Sequence, residues 1–185
     1  MPADIVTVEE VKKQLNIPDA DTSQDAELAD FIASITDVIE DVVGPVVPRE
    51  VTEDHPGGTD AVILRQPPAL SITSVTEDGT AVDSSGYTVS LNAGVLYRSS
   101  QWWAGGRAAV QIVYQAGRAV TPASIKQAAK ELVAVNFRSQ QGGNYSPFDS
   151  GDVPAGTAGQ VRLGFFVPNR VLQLLEPHRQ GGWLP

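Results

Sequence analysis

"YQAGRAVTPASIKQAAKELVAVNF", residues Tyr114 to Phe137, holds the step on which the fold turns. Its first residues continue the run Ala109 to Gln115, whose composition and bounding turns are those of a strand. Ala116-Gly117 supplies a turn, and Thr121 followed by Pro122 has the order of an N-cap and a first helical residue. Ile125, Ala128, Ala129, Leu132, Val133 and Asn136 then recur near one helical face, and the small alanines permit close packing. Nothing in the segment resembles a nucleophile, a metal ligand or a phosphate cradle. A strand that passes by a short turn into a core-building helix predicts an α+β fold.

Upstream, "TVEEVKKQLNIP" pairs Thr7 with Glu10 at capping-box spacing, with Val8, Val11 and Leu15 on one face, and predicts a helix over 7–16. "DTSQDAELADFIASITDVIEDVVGP" is the strongest helical signal. Thr22 or Ser23 can cap it, Leu28, Phe31, Ile32, Ile35, Ile39, Val42 and Val43 form an apolar stripe, and Gly44-Pro45 stops it, giving a helix over 23–43. From "PVVPREVTEDHPGGTD" onward the period changes, and strands are expected at Ala61 to Leu64, Leu70 to Thr76, Tyr87 to Ser90, Val95 to Arg98 and Ala109 to Gln115. "EDGT" and "LNAG" provide the turns between them. The expected architecture is a helical bundle, made of the N-terminal helices and the helix after the sheet, packed with a small antiparallel sheet. The core spans 1–138, with helices at 7–16, 23–43 and 121–138 and the sheet within 61–115. A flexible Gly, Ser and Pro-rich loop follows at 139–163, and then a flexible C-terminal segment, 164–185, with one short helix at Val171, Leu172, Leu174 and Leu175.

A chain of 185 residues with 42% hydrophobic and 19% charged residues has a real core and is too apolar for wholesale disorder. It contains no cysteine, which removes disulfides and thiolate chemistry and suits folding in a reducing cytoplasm. "MPADIVTVEE" has neither the basic region nor the apolar run of a signal peptide, and no membrane span is expected. The net charge of −9 repels phosphate backbones and argues against sequence-reading of nucleic acid.

Candidate chemistry is sparse. Asp19, Asp21 and Ser23 resemble a calcium loop, but Gln24 occupies the position that needs glycine and Asp30 the position of the closing glutamate. His55 and His178 lie far apart in sequence without ligand-spaced neighbours and read as surface residues. The glycine pairs 57–58, 105–106 and 142–143 match no phosphate-binding fingerprint and read as turns. Trp102 and Trp103 are adjacent, so they cannot both point inward from a strand; they read equally as interface anchors or as core. One feature stands out: Glu27, Asp30, Ser34, Asp37 and Asp41 make an acidic stripe on a helix that contains no lysine or arginine. It reads as a solvated face, or as a face turned toward something for which negative charge is useful.

The order of elements, together with "YTVSLNAGVLY", "VYQAGRAVTPASIKQA" and "PNRVLQLLEPHR", resembles the head-tail connector, or adaptor, proteins of long-tailed bacteriophages, from about Val6 to Arg179. The long loop at 139–163 departs from that pattern. The resemblance implies a structural virion protein, assembled in the host cytoplasm, with no catalytic, cofactor or metal site. Such proteins form a ring of about a dozen copies beneath the portal of the filled head and join it to a stopper or tail. It further implies that Val171, Leu172, Leu175, Arg179 and Trp183 dock on the portal protein, and that Trp102 and Trp103 face the stopper or tail-completion protein. On that reading Glu27, Asp30, Asp37 and Asp41 line a channel through which DNA passes without sequence-specific binding. The competing readings are another neck protein (a stopper or tail-completion protein), a hydrolase using acidic residues with His55 or His178, and an adaptor domain binding a peptide along its sheet edge.

Overall fold

The computed structural model describes residues 4–99, 102–140 and 167–179. The fold is α+β, and the chain divides into two compact units, one of residues 43–121 and one of residues 4–42 together with the chain from 122 onward. Residues 141–163 of the expected loop, and 164–166 and 180–185 of the C-terminal segment, Trp183 among them, lie outside the described residues.

The helical unit opens with α1 (Val8–Leu15), where the expected capping box forms: Glu10 N donates to Thr7 Oγ1 at 3.2 Å and Thr7 N donates to Glu10 Oε2 at 3.1 Å. Asn16, in the left-handed region at φ 59°, ends the helix, two residues before Pro18. Lys12 is buried at 3% exposure because its Nζ donates to Asp19 O at 3.0 Å and to Asp25 Oδ1 at 2.9 Å, which satisfies a charge that burial alone would penalise. That second contact fixes α1 against the start of α2 (Asp25–Val43). α2 begins two residues later than the sequence suggested, because the Ser23 hydroxyl donates to Asp21 Oδ1 and the first i to i+4 bond runs from Leu28 N to Gln24 O. Leu28, Ile32, Ile35 and Ile39 of its stripe are buried.

α3 (Ala123–Gln140) starts after Pro122, whose carbonyl accepts from Lys126 N at 3.1 Å, and it continues through residues 139 and 140, which the sequence had placed in the loop. Ile125, Ala128, Ala129, Leu132, Val133 and Phe137 are buried, and Phe137 meets Phe31 edge to face with ring centroids 5.9 Å apart. α4 (Asn169–Leu175) packs on α3, followed by a 3-10 turn at Glu176–His178.

The β unit holds two sheets where one was expected. The first has the order β1 (Arg49–His55), β7 (Val110–Ala116), β3 (Ala69–Glu77), β4 (Thr80–Ala81). The second is β2 (Ala61–Ile63), β6 (Val95–Arg98), β5 (Tyr87–Ser90). All pairings are antiparallel, with Val51 opposite Tyr114, Glu53 opposite Ile112, and Val62 opposite Leu96. β1 has no counterpart among the expected strands. Its buried positions are Glu53 and His55 rather than aliphatics, so the alternation that announces a half-buried strand is written in polar residues. The core gathers Val62, Leu64, Val75, Leu96, Trp103, Val110, Ile112 and Tyr114 from both sheets.

Gly57 shows how closely this unit is packed. A Cβ there would sit 1.7 Å from the carbonyl oxygen of Ala104, so no other residue fits without moving the backbone.

Candidate functional site

The acidic stripe forms as the spacing predicts. Glu27, Asp30, Ser34, Asp37 and Asp41 are all exposed on α2, with Leu28, Ile32, Ile35 and Ile39 turned inward. Ser34 Oγ donates back to Asp30 O at 2.9 Å, leaving the carboxylates as the outward-facing groups of the stripe.

The candidate docking residues separate by helical phase. Val171 and Leu175, four residues apart, are 0% and 2% exposed and face the interior of the helical unit. Leu172, one residue round, is 44% exposed, and Arg179 is also on the surface. α4 is held by Arg170 Nη2 to Glu131 Oε1 at 3.2 Å, and the turn after it by a 2.7 Å hydrogen bond between Ser124 Oγ and His178 Nε2. His178, read from sequence as a surface residue, is half-buried in that contact.

The two tryptophans also part. Trp102 is 71% exposed and Trp103 is 1% exposed. The connection that carries them is tied to the preceding loop: Trp103 N donates to Thr59 O at 2.8 Å and Gly58 N to Trp103 O at 2.9 Å. Arg98 lies over the Trp103 ring at 5.2 Å from its centroid, while its Nη2 meets Glu77 Oε2 at 3.0 Å and Glu77 Oε1 accepts from Ala104 N at 2.7 Å. A single carboxylate thus orients both the cation over the ring and the backbone beside it.

His55 is not the surface residue the sequence suggested. It is 5% exposed, and its Nε2 lies 2.8 Å from Glu53 Oε2, an oxygen that also accepts from Arg65 N at 3.0 Å. Glu53 Oε1 accepts from the Tyr114 hydroxyl at 2.7 Å, and that hydroxyl accepts from Gln66 N at 3.2 Å. Burial, reinforced by donation to Glu53, pushes the Tyr114 phenol well above its ordinary range and keeps it a neutral donor. Sequence reasoning missed this constellation because its members come from β1, β7 and the β2–β3 connection, and no local spacing joins them. It braces three segments of the β unit. Among the described residues no group of three or more histidine, cysteine or acidic residues could hold a metal ion. Among the described residues no helix is long and apolar enough to cross a membrane.

The architecture is an α+β fold with an acidic face on α2. The chain belongs to the head completion protein family, whose sequence model matches residues 4–180. Its fold is also that of a chain in the neck of an empty gene transfer agent particle computed with C6 symmetry, at TM-score 0.65 and 19% identity over 100% of this chain and 97% of that one. A chain in the neck of the native particle computed with C12 symmetry matches at TM-score 0.64 and 16% identity over the same shares, 100% and 97%. A chain of the native gene transfer agent virion matches at TM-score 0.59 and 16% identity, covering 97% of this chain and 92% of that one. No curated protein matches the chain in sequence.

Proposed function

We propose that this chain is the ring-forming adaptor of a phage-type neck. It sits beneath the portal after packaging, joins the filled head to the stopper or tail, and continues the DNA channel. The observation that carries the reading is the match of the whole chain to nearly whole chains of particle necks computed with C6 and C12 symmetry, alongside membership of the head completion family.

Exposed Leu172 and Arg179 supply the docking face toward the portal, with Val171 and Leu175 holding α4 on its own helical unit. Exposed Trp102 supplies the contact toward the stopper or tail, positioned by the buried Trp103. The acidic stripe of α2 lines the channel. A ring of copies at −9 each places on the order of a hundred negative charges about it, a wall that repels the DNA backbone and lets it slide.

Two experiments test this. Electron microscopy of particles made without the chain is expected to show DNA-filled heads and complete but separate tails, with joining restored by purified protein; normal tailed particles overturn the reading. Replacing Asp30, Asp37 and Asp41 by lysine is expected to leave assembly intact and to slow DNA release about tenfold or more in low salt, with recovery as salt rises. Unchanged ejection from normally assembled particles removes the channel assignment.

A further inference from the structure

We infer that the outer face of the β2–β6–β5 sheet is a subunit contact, covered in the assembled neck by a second copy of this chain. The inference rests on the ring reading above and adds the surface through which neighbours meet.

The alternation of these strands puts Val62, Leu96 and Val89 against the core. The opposite face therefore consists of two cross-strand rows, Ala61–Tyr97–Thr88 and Ile63–Val95–Ser90. None of the six side chains is charged and four are apolar. Ile63 is 59% exposed and Tyr97 is 48% exposed, two of the largest apolar side chains left open among the described residues. An open apolar sheet face with an aromatic on its middle strand has the composition of an interface core, where charge is depleted and tyrosine enriched.

Charge identifies the occupant. Each chain carries −9, so two copies repel, and any contact that buried carboxylates from both would add desolvation to repulsion. Of the other surfaces, α2 presents Glu27, Asp30, Asp37 and Asp41, the outer face of the β1–β7–β3 sheet presents Glu50 and Asp54 beside Gln111 and Gln115, and the α4 end, with exposed Arg170 and Arg179, is the face assigned above to the portal. A basic partner would be received on the two acidic faces. A partner as acidic as this chain is received where charge is absent, and the neighbouring copy in a ring is such a partner.

The test places p-benzoylphenylalanine at Tyr97 in the full chain and irradiates assembled particles made from a mixture of isotopically light and heavy chains. The expected result is a mixed-label adduct at twice 19.6 kDa, with yield lowered about tenfold by Ile63→Asp. If either substitution prevents assembly, Ser90→Cys is used instead. It lies at a polar position of the same face, in a chain with no other cysteine, and a maleimide–benzophenone attached there is expected to join two copies on irradiation. An adduct with a different protein, an adduct confined to one chain, or no adduct in particles that contain the protein overturns the inference and leaves the adaptor reading standing. Absence of the chain from particles overturns the adaptor reading, and this inference with it.

Discussion

The β unit and the helical unit use polar side chains in opposite ways. In the β unit one carboxylate, Glu53, sits inside and collects the Tyr114 hydroxyl, the Arg65 amide and the His55 ring. In the helical unit, buried Lys12 apart, the polar contacts lie at the periphery: the Thr7–Glu10 box caps α1, and Lys126 with Glu10 at 3.3 Å, Arg170 with Glu131, and Ser124 with His178 pin neighbouring elements. A shared buried acceptor makes its donors interdependent, because losing it leaves several buried groups unsatisfied together. Peripheral pins fail one at a time, with water ready to replace them. Glu53 is therefore a place where a single polar substitution affects the whole β unit, whereas the peripheral pins of the helical unit yield locally.

That contrast can be broken experimentally. Glu53→Ala is expected to cost about 4 kcal/mol, from the summed desolvation of its three donors, read as a fall in denaturant midpoint; a loss below about 1 kcal/mol would show that water enters and that the network is not closed. In the helical unit the largest effect belongs to an apolar contact. Leu175→Ala is expected to cost about 3 kcal/mol, and hydrogen exchange should show the loss first in α4 and the turn after it. Ser124→Ala is expected to cost about 1 kcal/mol and to accelerate exchange around His178 while leaving the β unit's protection unchanged.

The smallest effect is a pH dependence. The hydrogen bond from the Thr7 backbone, with Lys126 beside it, holds the Glu10 carboxyl below its ordinary value despite partial burial. Its folded pKa is depressed, so its contribution is present above the ordinary carboxylate range and is lost as pH falls through the depressed value. Solvent screening keeps that contribution to a few tenths of a kcal/mol. Glu10→Gln should therefore flatten the acid side of the stability profile slightly, from the ordinary carboxylate range downward, without moving the midpoint near neutrality by more than that amount.

The same contrast decides what could be read from the residues alone. α2 was legible because Leu28, Ile32, Ile35 and Ile39 repeat at helical spacing, and its acidic face was legible for the same reason. α1 declared itself through the Thr7–Glu10 box. β1 was not legible, since its inward positions are filled by Glu53 and His55 and their partners lie far along the chain: Tyr114 is 61 residues from Glu53. The orientation of Trp102 and Trp103 was undecidable locally, because it depends on backbone bonds to Gly58 and Thr59. Of the docking residues, the sequence marked α4 as an apolar helix, while the division into buried Val171 and Leu175 and exposed Leu172 follows from where α3 lies.

The chain order of the two units has a consequence for synthesis. The helical unit is begun by residues 4–42 and finished only after residue 122, with the whole β unit made in between. At a ribosomal pace of roughly 5–20 residues per second, the early helices wait on the order of ten seconds for α3. During that interval Phe31 has no Phe137 to meet, and the apolar stripe of α2 is without its later partners. Glu27, Asp30, Asp37 and Asp41, on a helix without a single basic residue, are already in place on the opposite face through that interval, so nascent copies carry like charge beside their open apolar stripe.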